Sequence, residues 1–307
     1  MPVSSPSDLP LSGRVALITG ANTGIGLVSA RELARQGAQL FITCRDARTS
    51  QAALQRIREA SGNPHVEALQ MDLGDFTSVR ACAQAFLERD LPLHLLVNNA
   101  GVMATAYHRT ADGLELQLAT NHFGPFLLTG LLLPQLAASG EARVVTVASQ
   151  MHRMARSAPL GDPHTQAGRY QRWPEYGQSK LANLLFTFEL DRRLREGGLP
   201  VRALAAHPGF AGSHLVANGQ LGRASGPVAS ILDAAVRAVS QSVDDGALPT
   251  LMAATADLPG GTYCGPSGPG EMSGAPVVVE ASATAHDPEA QRRLWELSEQ
   301  TVGLAYP

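Results

Sequence analysis

Short apolar runs alternate along the chain with longer amphipathic segments. The runs are RVALITG, AQLFITC, HVEALQMD, LHLLVNNAG, ARVVTVAS and VRALAAHPG. The apolar spacing between them predicts helices that end at Arg35 and Asp90, helices over 48–60 and 113–137, and a helix that contains Lys180. Strands that are buried on both faces and joined by crossover helices form a parallel sheet. The pattern therefore predicts an α/β fold with a doubly wound parallel sheet and helices on both faces.

Composition favours one soluble domain with a small-molecule partner. The 307 residues are 44% hydrophobic and 17% charged, which fits a single domain over residues 1–307. The net charge of −3 provides no basic field for nucleic acid or an anionic membrane. Cys44, Cys82 and Cys264 have no CxxC or metal-ligand spacing, so we expect neither disulfides nor a metal site. The sequence shows no signal peptide or long apolar run, and we expect a cytoplasmic protein.

The glycine-rich stretch TGANTGIG, residues 19–26, follows the first predicted strand and opens a helix. In a phosphate loop, Gly20 would permit the tight turn, Gly24 would let backbone approach a pyrophosphate, and Gly26 would allow close packing. The helix N-terminus would face the negative charge. A plain turn is the alternative, but the position at the first strand–helix junction favours a dinucleotide site and a Rossmann-type fold.

The end of the second strand, CRDA, bears on the choice of cofactor. An NAD-selecting site places a carboxylate where this chain has Cys44. Arg45 follows, and its guanidinium suits the 2′-phosphate of NADP. The alternative is that Asp46 is the ribose-binding acid of an NAD site, displaced along the chain. We therefore expect NADP(H), with NAD(H) less favoured. After the third strand, Asp72 would either accept from the adenine amino group or cap the next helix.

Lys180 is the only lysine among 24 lysine and arginine residues, and it lies four positions after Tyr176. On a helix the two side chains share a face. A phenol that exchanges protons near neutrality needs its pKa lowered by about three units from about 10, and a nearby ammonium acts in that direction. Ser149 closes the fifth predicted strand, at the carboxyl end of the sheet. A solvated helix face is the alternative interpretation of the tyrosine and the lysine.

Together, the motifs TGANTGIG, NNAG (98–101), TNHFGPFLL, YGQSK and HPGFAGS (207–213) resemble the short-chain dehydrogenase/reductase superfamily over nearly the whole chain. CRDA, NHFGPFLLT and YGQSKLANLLFTFEL are similar to its retinol-dehydrogenase-like branch, which includes relatives of protochlorophyllide reductase. The resemblance implies that Tyr176 is the general acid/base and that Lys180 binds the nicotinamide ribose. It also implies that Ser149 holds the substrate oxygen and that Asn121 fixes a water in a proton relay.

The cofactor site predicted from the motifs and the resemblance extends over most of the chain. Its residues are Gly20, Asn22, Thr23, Gly24, Ile25, Gly26, Arg45, Asp72, Leu73, Asn99, Ala100, Gly101, Tyr176, Lys180, Pro208, Gly209 and Ser213. Ser213 stands where the family often has a threonine, and it keeps the hydroxyl. The animal members of the branch usually carry an N-terminal membrane helix; we expect none in this chain, so a retinoid in a membrane is not implied and we expect no membrane partner.

Two less regular zones, 150–175 and 210–275, are predicted to form walls of the substrate site. The interval between Ser149 and Tyr176 is about twice the usual length in the family, which favours a lid over the substrate mouth, with a surface excursion as the alternative. Its histidines are expected to form hydrogen bonds within loops rather than to act in catalysis. Apolar residues around the mouth hint at an apolar ligand, namely Met103, Met151, Met154, Phe210, Leu215 and Val216.

We therefore expect an NADP(H)-dependent oxidoreductase that interconverts an alcohol and a carbonyl and that reduces an apolar aldehyde or ketone. A catalytically idle NADP(H) sensor is the alternative, and a damaged set of catalytic residues would indicate it. A sugar-nucleotide epimerase or dehydratase is disfavoured by the glycine spacing. The C-terminal QRRLWELSEQ predicts an amphipathic helix, which would pack either on its own domain or on the second subunit of a homo-oligomer.

Overall fold

A sheet of eight strands forms the centre of the part of the chain that the structure, a computed structural model, describes: residues 9–155, 157–164, 167–210 and 241–307. The strands are β1 (Val15–Thr19), β2 (Gln39–Cys44), β3 (Val66–Gln70), β4 (Leu95–Asn98), β5 (Ala142–Val147), β6 (Val201–Ala206), β7 (Tyr263–Pro266) and β8 (Pro276–Val278). Their order is β3-β2-β1-β4-β5-β6-β7-β8. Every neighbouring pair is parallel except β7 with β8.

The predicted doubly wound parallel sheet is confirmed, and the six apolar runs correspond to β1 through β6. The order of the strands reverses between β1 and β4: β2 and β3 follow on one side of β1, and β4, β5 and β6 follow on the other. Ligands of such sheets bind beyond the carboxyl ends of the strands at this point. The sequence did not predict β7 and β8. Gly265 and Pro266 lie within the short β7, and residues of this type mask a strand pattern.

Helices cover both faces of the sheet. They are α1 (Gly24–Arg35), α2 (Ala47–Ser61), α3 (Phe76–Leu87), α4 (Leu116–Leu118), α5 (Gly124–Ala138), α6 (Arg172–Glu196), α7 (Val243–Thr255) and α8 (Pro288–Val302), and 3-10 turns lie at Gln150–Met154, Ala167–Arg169, Pro269–Glu271 and Ala283–His286. Val15 and Leu17 pack in one core with α3 and α5, while Ala16 and Ile18 pack in another with α1 and α2. Within the described ranges, no helix is both long and apolar enough to cross a bilayer.

Two predicted helices differ from the observed ones. The helix predicted to end at Asp90 ends at Leu87, and Asp90 has a left-handed φ of 49°, which a continuing helix does not allow. The helix predicted over 113–137 begins at Leu116 and is divided by a π-helical turn at Ala119–Phe123. Its start is fixed by Glu115, whose buried carboxylate accepts from two backbone N–H groups of α4.

The C-terminal helix α8 packs on its own domain. Trp295 is 1% exposed, and its ring centroid lies 5.0 Å from that of Phe126 and 5.9 Å from that of Phe186. Nε2 of His122 is 2.8 Å from Oγ of Ser298 on the same helix. The apolar face of α8 is therefore used within the chain, and a homo-oligomer stays a prediction.

Candidate active site

A cleft of about 540 Å³ opens at the carboxyl ends of the strands, next to the reversal between β1 and β4. Most of the residues predicted to contact a cofactor line it: Gly20, Asn22, Thr23, Gly24, Ile25, Gly26, Arg45, Asp72, Leu73, Asn99, Ala100, Gly101, Tyr176, Lys180 and Pro208. Stretches that are far apart in sequence thus meet around one volume of suitable size for a dinucleotide.

At one end of the cleft, backbone approaches backbone closely. Gly20 has a φ of 68°, and a Cβ at this position would lie 2.7 Å from the Cβ of Ala100. Oγ1 of Thr19 accepts from the backbone N–H groups of Asn99 and Ala100, each at 3.0 Å. Nδ2 of Asn99 donates to the carbonyl of Thr19 at 2.7 Å, and a Cβ on Gly26 would collide with this amide. The Asn99 side chain therefore fixes the two loops to each other.

The rim after β2 presents Arg45 to the cleft. Asp46 is the N-cap of α2, and its Oδ1 accepts from the backbone N–H of Thr49 at 2.9 Å. This hydrogen bond lowers the pKa of Asp46. Cys44 is buried, and burial raises the pKa of its thiol. The rim thus offers a guanidinium to an anion, while the neighbouring carboxylate is engaged by the helix N-terminus.

Asp72 lies on the cleft wall and does not cap the next helix. Its Oδ1 accepts from the backbone N–H of Gly74 at 2.8 Å. The cap of α3 is Asp75, whose Oδ1 accepts from the backbone of Thr77 at 2.9 Å and of Ser78 at 3.3 Å. The capping alternative for Asp72 is therefore wrong, because β3 ends at Gln70 and the helix starts only at Phe76. A contact of Asp72 with adenine stays a prediction.

Tyr176 and Ala148 line the cleft, whereas Ser149, the next residue after Ala148, is not among the described lining residues. Tyr176 is 7% exposed, and the side chain of Ser149 acts to lower the pKa of its hydroxyl. Ser149 lies two residues beyond β5 rather than closing it, and its Oγ caps the following 3-10 turn by accepting from Met151 N at 3.2 Å. Burial raises the pKa of Tyr176 to about 12, against the smaller effect of the Ser149 hydrogen bond. The protein alone therefore shifts the phenol away from ionisation.

Lys180 is buried beside this tyrosine, with 4% of its surface exposed. Its Nζ donates to the carbonyl of Val147 at 2.9 Å and lies 5.8 Å from the centroid of the Tyr176 ring. Burial lowers the pKa of Lys180 to about 8. An ammonium has three donors, so donors beyond the Val147 bond remain for a ligand in the cleft that Lys180 lines. The interpretation of these two residues as a solvated helix face is wrong.

Asn121 lies directly behind the cleft floor, in the π-helical turn. Its Oδ1 accepts from Val102 N at 2.7 Å, and its Nδ2 donates to Val102 O and to Oγ of Ser179, each at 2.9 Å. A Cβ on Gly101 would lie 3.1 Å from Oδ1 of Asn121 and 3.4 Å from Nζ of Lys180. Both amide hydrogens of Asn121 are thus used, and its role in holding a water stays a prediction. Turns of this kind recur at functional sites.

Two other predicted residues also have no place in the cleft lining. Gly209 faces protein, because its N–H donates to Nδ1 of His207 at 3.2 Å and a Cβ there would lie 2.7 Å from the Pro266 ring. Its predicted cofactor contact stays a prediction. Ser213 lies outside the described residues.

Some lining residues were not predicted from the sequence. They are Thr43, Thr49, Met71, Val102, Thr120, Val147 and Ala148. Thr43, Met71, Val147 and Ala148 stand at or just after the ends of β2, β3 and β5, so the strand pattern alone carried a signal for them. Thr49 and Thr120 reach the cleft from helical segments, and their sequence context gave no such signal.

The interval before Tyr176 is anchored at its start by His152. Nδ1 of this histidine donates to Ser149 O at 2.7 Å, while Nε2 accepts from Ser282 N at 3.1 Å. Burial lowers the pKa of His152 to about 4. This neutral histidine therefore ties the turn that carries Ser149 to the segment after β8.

The same interval is anchored near its end by Tyr170. Its hydroxyl donates to Thr105 O at 3.0 Å and accepts from Nε2 of Gln117 at 2.7 Å. Oε1 of Gln117 accepts from Ala104 N at 2.7 Å. The described part of the interval thus packs on the loop that continues from Met103 at the cleft. The lid stays a prediction.

Three exposed apolar side chains lie on the loops that follow β5, β6 and β7. Met154 is 52%, Phe210 38% and Met272 37% exposed. Phe210 N donates to Met272 O at 2.8 Å, so two of these residues come from adjoining loops. Met103 lines the cleft itself, whereas Leu215 and Val216 lie outside the described residues.

Comparisons with known proteins agree with this geometry. A family model described as short chain dehydrogenase matches residues 14–160. Retinol dehydrogenase 12 of Homo sapiens is 46% identical over 215 residues, which cover 70% of this chain and 67% of that protein. Retinol dehydrogenase 13 of Homo sapiens is 37% identical over 311 residues, covering 98% and 88%. A solved structure of an uncharacterized protein from Mycobacterium Paratuberculosis has 41% identity and a TM-score of 0.80 over 99% of both chains. Some matches to retinol dehydrogenases 11 and 12 span 65% of those relatives, slightly less than two thirds.

Proposed function

The chain belongs to the short-chain dehydrogenase/reductase family and is similar to its retinol dehydrogenases, and from this premise we propose that it is an NADP(H)-dependent reductase of apolar aldehydes or ketones. The family consists of oxidoreductases that bind a nicotinamide dinucleotide and act on alcohol or carbonyl groups. The observation that carries the finer proposal is that Tyr176 and Lys180 lie side by side in the cleft lining, with the side chain of Ser149 acting on the Tyr176 hydroxyl.

The residues of the cleft fit a nicotinamide dinucleotide. The N-cap of α1, Thr23, makes no side-chain cap hydrogen bond, which leaves N–H groups of the first turn for a phosphate. The close approach of Gly20 to Ala100 leaves a backbone surface for the flat parts of the molecule. Lys180 would hold the ribose near the reacting end. When bound, the reduced cofactor supplies the hydride.

The protein's own part in the reaction would be to hold the carbonyl oxygen and to protonate it. Ser149 would hold this oxygen by a hydrogen bond, and the Tyr176 hydroxyl would donate its proton to it. With a pKa of about 12, Tyr176 is protonated at neutral pH and so is in the state that a donor needs. This favours the direction of reduction.

Alcohol oxidation would require the phenolate of Tyr176, which is harder to form here. Lowering a pKa of about 12 to about 7 takes about 7 kcal/mol. The positive charge of Lys180, whose Nζ lies 5.8 Å from the centroid of the Tyr176 ring, favours the phenolate. Lys180 would thus supply part of the shift.

Arg45 supports the choice of NADP(H). It is an exposed guanidinium on the cleft rim, next to Cys44, which stands where an NAD site places its ribose acid, and Oδ1 of Asp46 is engaged in the cap of α2. A charge-assisted bond to a 2′-phosphate is worth about 1.5–3 kcal/mol, or roughly tenfold to a hundredfold in affinity.

The exposed Met154, Phe210 and Met272 support an apolar small-molecule substrate. Because relatives are named retinol dehydrogenases, retinoid aldehydes belong among the compounds to test. Nucleic acid and membrane are not proposed as partners, and a cytoplasmic location stays a prediction from the sequence.

A screen of aldehydes and ketones with NADPH and NADH, read at the nicotinamide absorbance, tests the proposal. We expect turnover with NADPH and an apolar carbonyl compound. Tyr176→Phe should reduce kcat by at least about 100-fold and leave the Kd for NADPH unchanged, because the ring stays and only the proton donor is lost. Tight NADPH binding without turnover of any compound by the wild type would favour the sensor instead.

A further inference from the structure

The carboxylate of Glu271 joins three loops beside the catalytic end of the cleft. Its Oε2 accepts from Nε2 of His207 at 2.9 Å and from Nε2 of Gln150. Its Oε1 lies 3.6 Å from the guanidinium of Arg153, which also donates from Nε to Oε1 of Gln150 at 2.9 Å. The four side chains therefore form one connected cluster, which the proposed chemistry does not use.

His207 takes part in this cluster as a neutral hydrogen-bond donor. Nδ1 of the ring accepts from Gly209 N at 3.2 Å, which leaves the proton on Nε2 to be donated to Glu271. Burial lowers the pKa of His207 to about 3, so the imidazole carries no charge near neutrality. The ionic partner of Glu271 is therefore Arg153 and not the histidine.

The backbone at Glu271 is held in an unfavourable conformation. Its φ is 55°, in the left-handed region that non-glycine residues rarely adopt. Such conformations persist where surrounding contacts impose them, and they cluster at functional sites. The next residue, Met272, accepts at its carbonyl from Phe210 N at 2.8 Å, which gives the loop a second bond to the segment after β6.

Each partner of Glu271 is close in sequence to a residue of the candidate active site. Gln150 follows Ser149 and lies with Arg153 in the same 3-10 turn. His207 precedes Pro208, which lines the cleft. A displacement of Glu271 would therefore be passed to Ser149 and to the cleft wall through the adjacent residues Gln150 and His207.

We propose that Glu271 is a positioning residue for the Ser149 hydroxyl, acting through Gln150, Arg153 and His207, which it locks into one rigid unit. The inference rests on the proposed reductase function, in which Ser149 holds the carbonyl oxygen. Small misplacements of a group that orients the substrate can slow the chemical step strongly without affecting binding elsewhere. Most residues predicted to contact the cofactor, including the glycine loop and Arg45, lie in a part of the chain that Glu271 does not contact in the described structure.

The geometry predicts what each substitution removes. In Glu271→Gln, one carbonyl oxygen can still accept from His207 and Gln150, but the amide that replaces Oε1 faces Arg153 without a charge. Arg153→Gln removes the same ion pair from its other side. Glu271→Ala removes all three contacts. Glu280→Gln is the matched control, because it neutralises an exposed carboxylate and keeps the backbone carbonyl that accepts from Arg153.

The kinetic test compares these variants on the substrate that the screen identifies. We expect kcat to fall about tenfold in Glu271→Gln and in Arg153→Gln and about a hundredfold in Glu271→Ala, with the Kd for NADPH unchanged. The loss of kcat in the double variant should be smaller than the product of the two single losses, because both substitutions remove the same ion pair, although Arg153→Gln also removes the bond from Arg153 to Gln150. Wild-type kcat in Glu271→Gln and Glu271→Ala would overturn the proposal, as would a parallel loss in Glu280→Gln.

Hydrogen–deuterium exchange gives a second measurement that needs no turnover. Exchange of the amides of residues 150–155 should be faster in Glu271→Gln and in Arg153→Gln than in the wild type and in Glu280→Gln. Unchanged exchange in both variants would overturn the inference even if the enzyme is active. If the wild type turns over no carbonyl compound while the exchange result holds, the proposed function fails and the locking of the Ser149 turn stands.

Discussion

The two ends of the cleft are built in different ways. At the nucleotide end, the turn at Gly20 and the loop at Asn99 follow neighbouring parallel strands, and backbone groups make the close contacts. At the proposed catalytic end, side chains contact distant segments: His207 contacts Glu271, His152 contacts the backbone of Ser282, and Tyr170 contacts Gln117. The shape of the first end is determined by the positions of the strand ends in the sheet, whereas the shape of the second depends on tertiary contacts between loops. Substitutions at the two ends should therefore separate cofactor affinity from turnover.

The largest effect is expected at Lys180, where the two ends meet. Lys180→Met should lower kcat by at least about 100-fold, because the ammonium that assists Tyr176 is lost. It should also stabilise the fold by up to about 3 kcal/mol at pH 7, since burial lowers the pKa of the lysine from 10.5 to about 8. Val147 O keeps a partner, because Nδ2 of Asn183 donates to it at 3.1 Å. Thermal unfolding and steady-state kinetics measure the two effects.

The pH dependence of this stability difference has a definite sign. Below pH 8 both states hold the lysine proton, and the charged form is penalised only in the folded protein. Between about pH 8 and 10.5 the folded state releases its proton while the unfolded state keeps it, so the penalty shrinks and then vanishes. The advantage of Lys180→Met should therefore fall over this range. A pH-independent advantage would contradict the burial of a charged lysine.

Lys180→Arg is the companion variant, and near-normal kcat for it would contradict the assigned role of Lys180.

A smaller effect, confined to the nucleotide end, is expected for Arg45→Ala. The Kd for NADPH should rise about tenfold to a hundredfold, while that for NADH changes little, because only NADPH carries the 2′-phosphate. Titration of the two cofactors by fluorescence measures this. Arg48→Ala, a nearby arginine that is not in the cleft lining, is the control. Equal losses for both cofactors would show that Arg45 does not read the phosphate.

The smallest effect is expected for Tyr170→Phe, at the outer wall of the catalytic end. The variant loses the bonds to Thr105 and Gln117, and we expect KM for the carbonyl substrate to change about two- to tenfold. The Kd for NADPH should stay constant. Arg169→Ala, an exposed neighbour, serves as the control. An unchanged KM in Tyr170→Phe would mean that the interval before Tyr176 does not shape the substrate site.

The same comparison explains what the sequence could predict. β1 through β6 and the glycine turn follow from local patterns, because apolar period and chain direction determine where strand ends lie. The proximity of Tyr176 and Lys180 could be predicted because residues four positions apart on a helix share a face. The contacts of Glu271, His152 and Tyr170 join residues that no local pattern links, and their loops have no periodicity. The pKa of Tyr176 was also beyond the sequence: its rise depends on burial, which a spacing of four residues does not reveal.

The burial of the single lysine has a consequence for chemical labelling. Because Lys180 is the chain's single lysine and is 4% exposed, the folded protein offers no exposed ε-amino group to acylating reagents. A pKa of about 8 makes the Lys180 amine a good nucleophile whenever the cleft admits a small electrophile. The extent of acylation at this one residue would then report cleft accessibility directly, and a dinucleotide bound over Lys180 would protect it.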